Sequence, residues 1–318
     1  MSKLAGKRLS NLIKELRTDR QICIMTHDFP DHDAVAAAFG LQYLLQSVGI
    51  ETHIVYKGML QSPSLEHAIL LLNISIYHYD DVVEGGAQII TVDGLPSISE
   101  DDDVKICAII DHHKFSHPEY VTYKDIRASY GSCATIVWDY FRDSKTNVPQ
   151  SIATVLLMGI MMDTMFMTRG VSQTDLRAYS ELFYLGDWAL ASRLLRNSLS
   201  IDNLSVFQEA LKKYRRHNQL IFVSISIECS VEVQALLADF FLGLREITIV
   251  AVVIRHSGTI RISLRSEDKS YPCDQLIRKV VEDIGQGGGH AHMAGGQIPD
   301  NEYPGDAEIE KRLCEGVF

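Results

Sequence analysis

Short, almost uninterrupted apolar runs alternate with segments of helical period through the first half of the chain. Residues 21–25, 51–56, 87–92 and 105–110 read as strands. Residues 34–48, 133–142 and 152–161 read as helices, with Ser132 as an N-cap. Ser172-Gln173-Thr174-Asp175 has the form of a capping box and opens a helix to about Leu185. Near the start, Leu9, Ile13 and Leu16 recur at helical spacing and predict an amphipathic helix. Strands that alternate with helices imply a parallel sheet covered on both faces, here over residues 1–187. From 188 to 217 the pattern is helical and more polar, as a connector would be. The runs 220–227 and 247–254 then flank a helix at 231–240. Residues 259–264 alternate like a half-buried strand, and 274–284 read as a helix. This predicts a smaller α/β domain over 218–318. The tail after Pro299 is acidic and polar and is assigned no element.

Composition narrows the class. A chain of 318 residues is long for one core and suits two domains. With 46% hydrophobic and 22% charged residues it reads as a soluble globular protein. No apolar run approaches the roughly 20 residues that span a bilayer, so no membrane partner is expected. The first residues lack the apolar core and cleavage site of a secretory signal. The six cysteines include no C-x-x-C pair, which suggests free thiols in a reducing compartment, hence the cytoplasm. The formal charge of −11 disfavours binding to long duplex nucleic acid. A nucleic-acid substrate would have to be short and held by a local group of cations.

The strongest chemical signal is His27-Asp28-Phe29-Pro30-Asp31-His32-Asp33, directly between a strand and a helix. In a parallel sheet that place is the carboxyl edge, where ligands bind. Carboxylates crowded there repel one another, and a divalent cation relieves the repulsion. Two more strands end on acids: 88–92 delivers Asp93, and 106–110 delivers Asp111-His112-His113. Asp163 ends the apolar stretch before Thr164. A lone aspartate after a strand is commonly a turn former or cap; the conjunction of four such segments is what points to a metal centre. Asp31, Asp33, Asp93 and Asp163 match the charge of two divalent ions, and His27 and His112 add neutral nitrogens. Mixed carboxylate and imidazole donors suit manganese, with Co2+, Mg2+ and Fe2+ as alternatives. Two such ions can clamp an in-line displacement at phosphorus.

These segments resemble, in order, the four motifs of the DHH phosphoesterase superfamily. Gly287-Gly288-Gly289-His290-Ala291-His292-Met293-Ala294-Gly295-Gly296, preceded by Arg261-Ile262-Ser263-Leu264-Arg265-Ser266, is similar to the glycine-rich part of the associated DHHA1 domain. The resemblance implies a parallel-sheet DHH domain and a smaller DHHA1 domain, with the active site in the cleft between them. It implies that His27 and Asp31 hold one metal, that Asp33, His112 and Asp163 hold a second, and that Asp93 bridges. It puts Asp111 behind a histidine, orienting it, and His113 toward the scissile phosphate. It assigns Arg265, Ser266, Gly288, Gly289 and His290 to the substrate's terminal phosphate or nucleotide. Arg169, six residues past Asp163, reads either as a phosphate contact or as a surface loop residue. Two departures stand out: Ala36-Ala37 replace a frequent Gly-Ser, and Gly94-Leu95-Pro96-Ser97 is unusual for the nano-RNase group. The remaining histidines at 53, 67, 78, 117, 217 and 256 have no companions in the sequence and read as structural or solvated.

By resemblance the expected activity is hydrolysis of short oligonucleotides, as in nano-RNase-type exonucleases, and of adenosine 3′,5′-bisphosphate. A homodimer is compatible with it. The alternatives are a stand-alone phosphodiesterase of cyclic di-AMP or its linear product, a polyphosphatase, and a non-catalytic nucleotide sensor.

Overall fold

The apolar runs become strands because each is wanted on two faces at once. In β9 (Ile249–His256), for example, Ile249, Ala251 and Val253 join one core while Val250, Val252 and Ile254 join another. Successive side chains of a strand point to opposite faces, so a fully buried strand must be apolar throughout. The structure is a computed structural model and describes residues 6–99, 101–114, 117–197 and 199–318. It divides into two units, residues 1–197 and 198–318.

The first unit runs α1 (Lys7–Glu15), β1 (Ile22–Met25), α2 (His32–Gln46), β2 (His53–Tyr56), α3 (Pro63–Leu71), β3 (Ile76–His78), α4 (Tyr79–Val82), β4 (Ala87–Val92), β5 (Val104–Asp111), β6 (Tyr123–Ile126), α5 (Cys133–Ser144), α6 (Gln150–Asp163), α7 (Gln173–Leu185) and α8 (Trp188–Arg196). Its six strands are all parallel, in the order β3-β2-β1-β4-β5-β6. The order reverses between β1 and β4, so the loops that leave these two neighbours diverge and open a crevice at the carboxyl edge. The two faces are covered unequally. One packs against long helices, through residues such as Leu12, Leu41, Trp138 and Leu156. The other is covered by the four-residue α4 and by Leu95, Ile98 and Val121 from the connections that follow β4 and β5.

The second unit runs α9 (Leu204–Lys213), β7 (Arg215–His217), β8 (Leu220–Ile225), α10 (Val231–Leu242), β9, β10 (Thr259–Ser266), α11 (Cys273–Val280), β11 (Gln286–Gly289), β12 (Met293–Pro299) and α12 (Asp306–Val317). Its sheet is mixed, in the order β11-β12-β10-β9-β8-β7, with only β8 and β9 parallel. Helices cover both faces, α9 and α10 on one, α11 and α12 on the other.

Two expectations change. The stretch 188–217 is not one connector: α8 buries Ala191, Leu194 and Leu195 in the first core, α9 buries Val206 and Ala210 in the second, and β7 is an edge strand. The tail after Pro299 holds α12, whose Ile309, Leu313 and Val317 fall at helical spacing among many charges. Gly287–Gly289, in the glycine-rich part, belong to strand β11. Among the described residues no helix is long and apolar enough to cross a membrane. Five of the six cysteines are buried, Cys314 is half-buried, and all are free.

Candidate metal centre

β1, β4 and β5 are neighbours in one parallel sheet, so the residues that follow their carboxyl ends are brought to one place. Asp31 is the N-cap of α2: its Oδ1 accepts from the N–H groups of Asp33 (2.9 Å) and Ala34 (3.0 Å). Asp93 follows β4 with φ of 56°, a left-handed conformation that aspartate tolerates better than most residues. Its own N–H donates to the Ile110 carbonyl of β5 (3.0 Å).

Asp33 is fully buried. Its two oxygens accept from the first N–H groups of α5, Cys133 (2.6 Å) and Ala134 (2.9 Å). A helix N-terminus favours such an anion. The neighbours that close round it are small. A Cβ on Gly159 of α6 would meet Asp33 Oδ1 at 2.7 Å, Ala36 at 2.9 Å and Ala134 at 3.0 Å. Ala36, the departure noted above, therefore fits because residue 159 is glycine. Gly159 was not singled out in the sequence, since a lone glycine in an apolar helix carries no mark of what it faces.

The loop before α5 is held by a second buried carboxylate. Asp175 accepts from Gly131 N–H (2.8 Å), Ser172 N–H (2.7 Å) and Thr135 Oγ1–H (2.6 Å). The capping box was legible; that the same carboxyl also ties down Gly131 and Thr135 was not. This loop in turn orients His112. Its Nδ1 lies 3.2 Å from the Tyr130 carbonyl, which can only accept, so Nδ1 carries the proton and Nε2 presents a lone pair. Nε2 stands 3.2 Å from Asp93 Oδ1, 3.2 Å from Asp163 Oδ2 and 4.0 Å from Asp33 Oδ2.

The candidate ligand atoms form overlapping groups, in each of which all atoms lie within 4.8 Å of one another. One is His27, Asp31 and Asp93; another is Asp33, Asp93, His112 and Asp163; a third joins Asp93, His112 and His113. Asp93 is common to all. Its Oδ1 is buried and receives no hydrogen bond of acceptable geometry, although His112 Nε2 is near. Burial, followed by repulsion from Asp93 and Asp163, pushes the Asp33 carboxyl well above the usual range. Burial likewise pushes Asp163 up to about 6, with Asp31 and Asp93 adding repulsion and His112 opposing. Aimed lone pairs and mutually destabilised carboxylates fit a pair of divalent cations. The donors, oxygens and imidazole nitrogens without thiolate, suit manganese-like ions.

Asp111 differs. It too is fully buried, yet burial is outweighed by hydrogen bonds from His113 and His117, which hold its carboxyl down at about 2. His113 Nδ1 lies 2.8 Å from its Oδ1, and His117 Nε2 lies 3.0 Å from its Oδ2. Of the two readings of His117, structural or solvated, the structure excludes the second: its ring is turned onto a carboxylate behind the site.

The residues expected to contact substrate fall in both units. Arg169 lies half-buried in the turn after α6, its N–H on the Thr164 carbonyl (2.9 Å). Just before it, Met165, Phe166 and Met167 all have positive φ, a strained run of the sort that persists where surrounding structure enforces it. In the second unit Arg265 and Ser266 end β10, and Ser266 N–H donates to the His292 carbonyl (3.0 Å), which brings the β11–β12 hairpin beside them. Arg265 is mostly buried and pairs with Asp239 of α10 (3.2 Å). The His290 and His292 rings stack at 5.8 Å. The glycines divide: Gly289 has φ of 145° and no room for a Cβ beside Ala294, whereas a Cβ on Gly288 would meet nothing.

The DHH family N-terminal domain model matches residues 21–160, and the DHHA1 domain model matches residues 218–312. The chain belongs to the DHH superfamily. It is 26% identical over 319 residues to an uncharacterised protein of Methanocaldococcus jannaschii, covering 98% of this chain and 66% of that one. It is 30% identical over 156 residues to a probable manganese-dependent inorganic pyrophosphatase of Streptococcus thermophilus, covering 46% of this chain and 49% of that protein. The chain thus spans between about half and two thirds of these curated relatives. Among solved structures it is similar to an exopolyphosphatase-related protein from Bacteroides fragilis, with a TM-score of 0.80 at 19% identity, covering 100% and 97% of the two chains. That likeness establishes the shared fold.

Proposed function

We propose that this DHH protein is a manganese-dependent phosphoesterase acting on short oligonucleotides, and on adenosine 3′,5′-bisphosphate as a second substrate. One observation carries the two-metal reading: Asp93 is the shared member of two ligand groups, His27–Asp31 on one side and Asp33–His112–Asp163 on the other. The relative's description as a manganese-dependent pyrophosphatase supports the choice of metal. When bound, the ions supply Lewis-acid stabilisation of charge on the phosphoryl oxygens.

The chain's own residues do the rest. Asp31 and Asp33 are fixed by helix N-termini, so the ligand frame is set before substrate arrives. His113, held through Nδ1 by Asp111, supports proton delivery to the leaving oxygen. Arg265, Ser266, Gly288, Gly289 and His290 recognise the nucleotide end of the substrate, and Arg169 a phosphate. The preference for nucleotides over pyrophosphate is supported by the DHHA1 match, which lies in the second unit, with its glycines and a buried arginine at one sheet end.

The test is a panel of hydrolysis rates with and without Mn2+. The substrates are RNA dinucleotides, longer RNA, adenosine 3′,5′-bisphosphate, cyclic di-AMP and pyrophosphate, compared by kcat/KM. Dinucleotides should lead. A preference for pyrophosphate overturns the substrate assignment, and metal-independent turnover overturns the mechanism.

A further inference from the structure

His117 is nearly buried, with 8% of its side chain exposed, and it follows β5 by six residues. Its Nε2 sits 3.0 Å from Oδ2 of Asp111, an oxygen that His113 does not use. The other oxygen, Oδ1, receives both the backbone N–H (3.1 Å) and the Nδ1 (2.8 Å) of His113. One carboxylate is therefore clasped between two imidazoles. A carboxylate held on one side alone turns about its Cβ–Cγ bond at little cost, because that torsion is broad. Held on both sides, it presents Oδ1 to His113 in one orientation. Asp93 Oδ1 competes for the same His113 nitrogen from 3.8 Å, so the orientation of Asp111 decides which carboxylate His113 addresses.

We propose that His117 is a positioning residue: its Nε2–H holds Asp111 Oδ2 so that Oδ1 stays aimed at His113 Nδ1. His113 then keeps one proton on Nδ1, so Nε2 is the nitrogen that takes up and delivers the transferred proton on the substrate side. The inference rests on the role given to His113 above, and it predicts a coupling that a loop-stabilising histidine lacks.

The experiment compares His117→Leu, His117→Gln, His113→Ala and the double variant His113→Ala/His117→Leu, each loaded with Mn2+, on an RNA dinucleotide. His117→Leu should lower kcat about 10–100-fold, the usual cost of removing such a supporting hydrogen bond, with KM within twofold. His117→Gln restores an N–H donor and should recover most of that loss. The double variant should be no slower than His113→Ala, because His117 acts only through His113. If the losses multiply, or if His117→Gln and His117→Leu are equally slow, the proposal is overturned. Should His117→Leu fail to fold, His117→Asn, too short to reach Asp111, takes its place. Imidazole 15N NMR of the Mg2+-loaded protein gives a readout independent of turnover: His113 should hold a fixed Nδ1–H tautomer in wild type and lose it in His117→Leu. An unchanged tautomer overturns the clamp. Full activity of His113→Ala overturns instead the role of His113 in the proposed function, leaving the NMR result to judge the clamp.

Discussion

The carboxyl edge of the first sheet and the end of the second sheet where β10 meets the β11–β12 hairpin look equally polar in sequence, yet they are built on opposite principles. At the first edge acids face one another: the buried Asp33 and Asp93 and the half-buried Asp163 crowd round His112, and two of the three carboxyls are pushed upward. At the second end the charge is balanced within the chain, with Arg265 on Asp239 and on Ser263 Oγ (3.2 Å each). The first region gathers acids that cations would balance, whereas the second pairs its buried arginine within the chain. The comparison teaches that uncompensated burial, rather than polarity, marks where chemistry is done.

The comparison breaks most visibly at Asp93. Asp93→Asn removes the shared charge and should lower kcat about a thousandfold, the scale of losing a dominant electrostatic stabiliser, as read by steady-state turnover in Mn2+. Retained activity would dissolve the distinction between the two regions. Next, stripping metal with a chelator should destabilise the first unit by about 3 kcal/mol relative to protein at a hundredfold excess over Kd. Calorimetry should then show one transition falling by about 6–12 °C while the transition of the second unit stays in place. Arg265→Ala should act on binding: KM rises about tenfold with kcat nearly kept, the signature of uniform binding. Smallest is Gly289→Ala, which forces a Cβ into a backbone conformation with φ of 145° and should cost about 1–3 kcal/mol in the second unit. Manganese content, measured by elemental analysis, should be unchanged in that variant.

The first region was legible through conjunction: an aspartate after a strand is common by itself, but His27–Asp33, Asp93, Asp111–His113 and Asp163 recur in one chain, three of them after strands. The parallel order of the strands then brought them together. What supports the ligands was not legible. Gly159, Asp175 and His117 lie in other segments and act through packing or second hydrogen bonds, which leave no local pattern. The second region was legible by resemblance and less so by physics. The triple glycine carries no sign of the packing that requires it: a Cβ on Gly287 would meet Ile277 at 2.9 Å, and one on Gly289 would meet Ala294 Cα at 2.6 Å. The tail after Pro299 was passed over because its three buried positions are diluted by charge.

The bond between Asp33 and the amides of Cys133 and Ala134 spans about a hundred residues of chain. Asp163, the last of the candidate ligands, is made later still. On a ribosome adding roughly 5–20 residues per second, the motif at His27–Asp33 waits several seconds for these partners. During that interval the segment stands without the shared carboxylate until Asp93 emerges. The full set of candidate donors therefore comes together only once the first unit has closed.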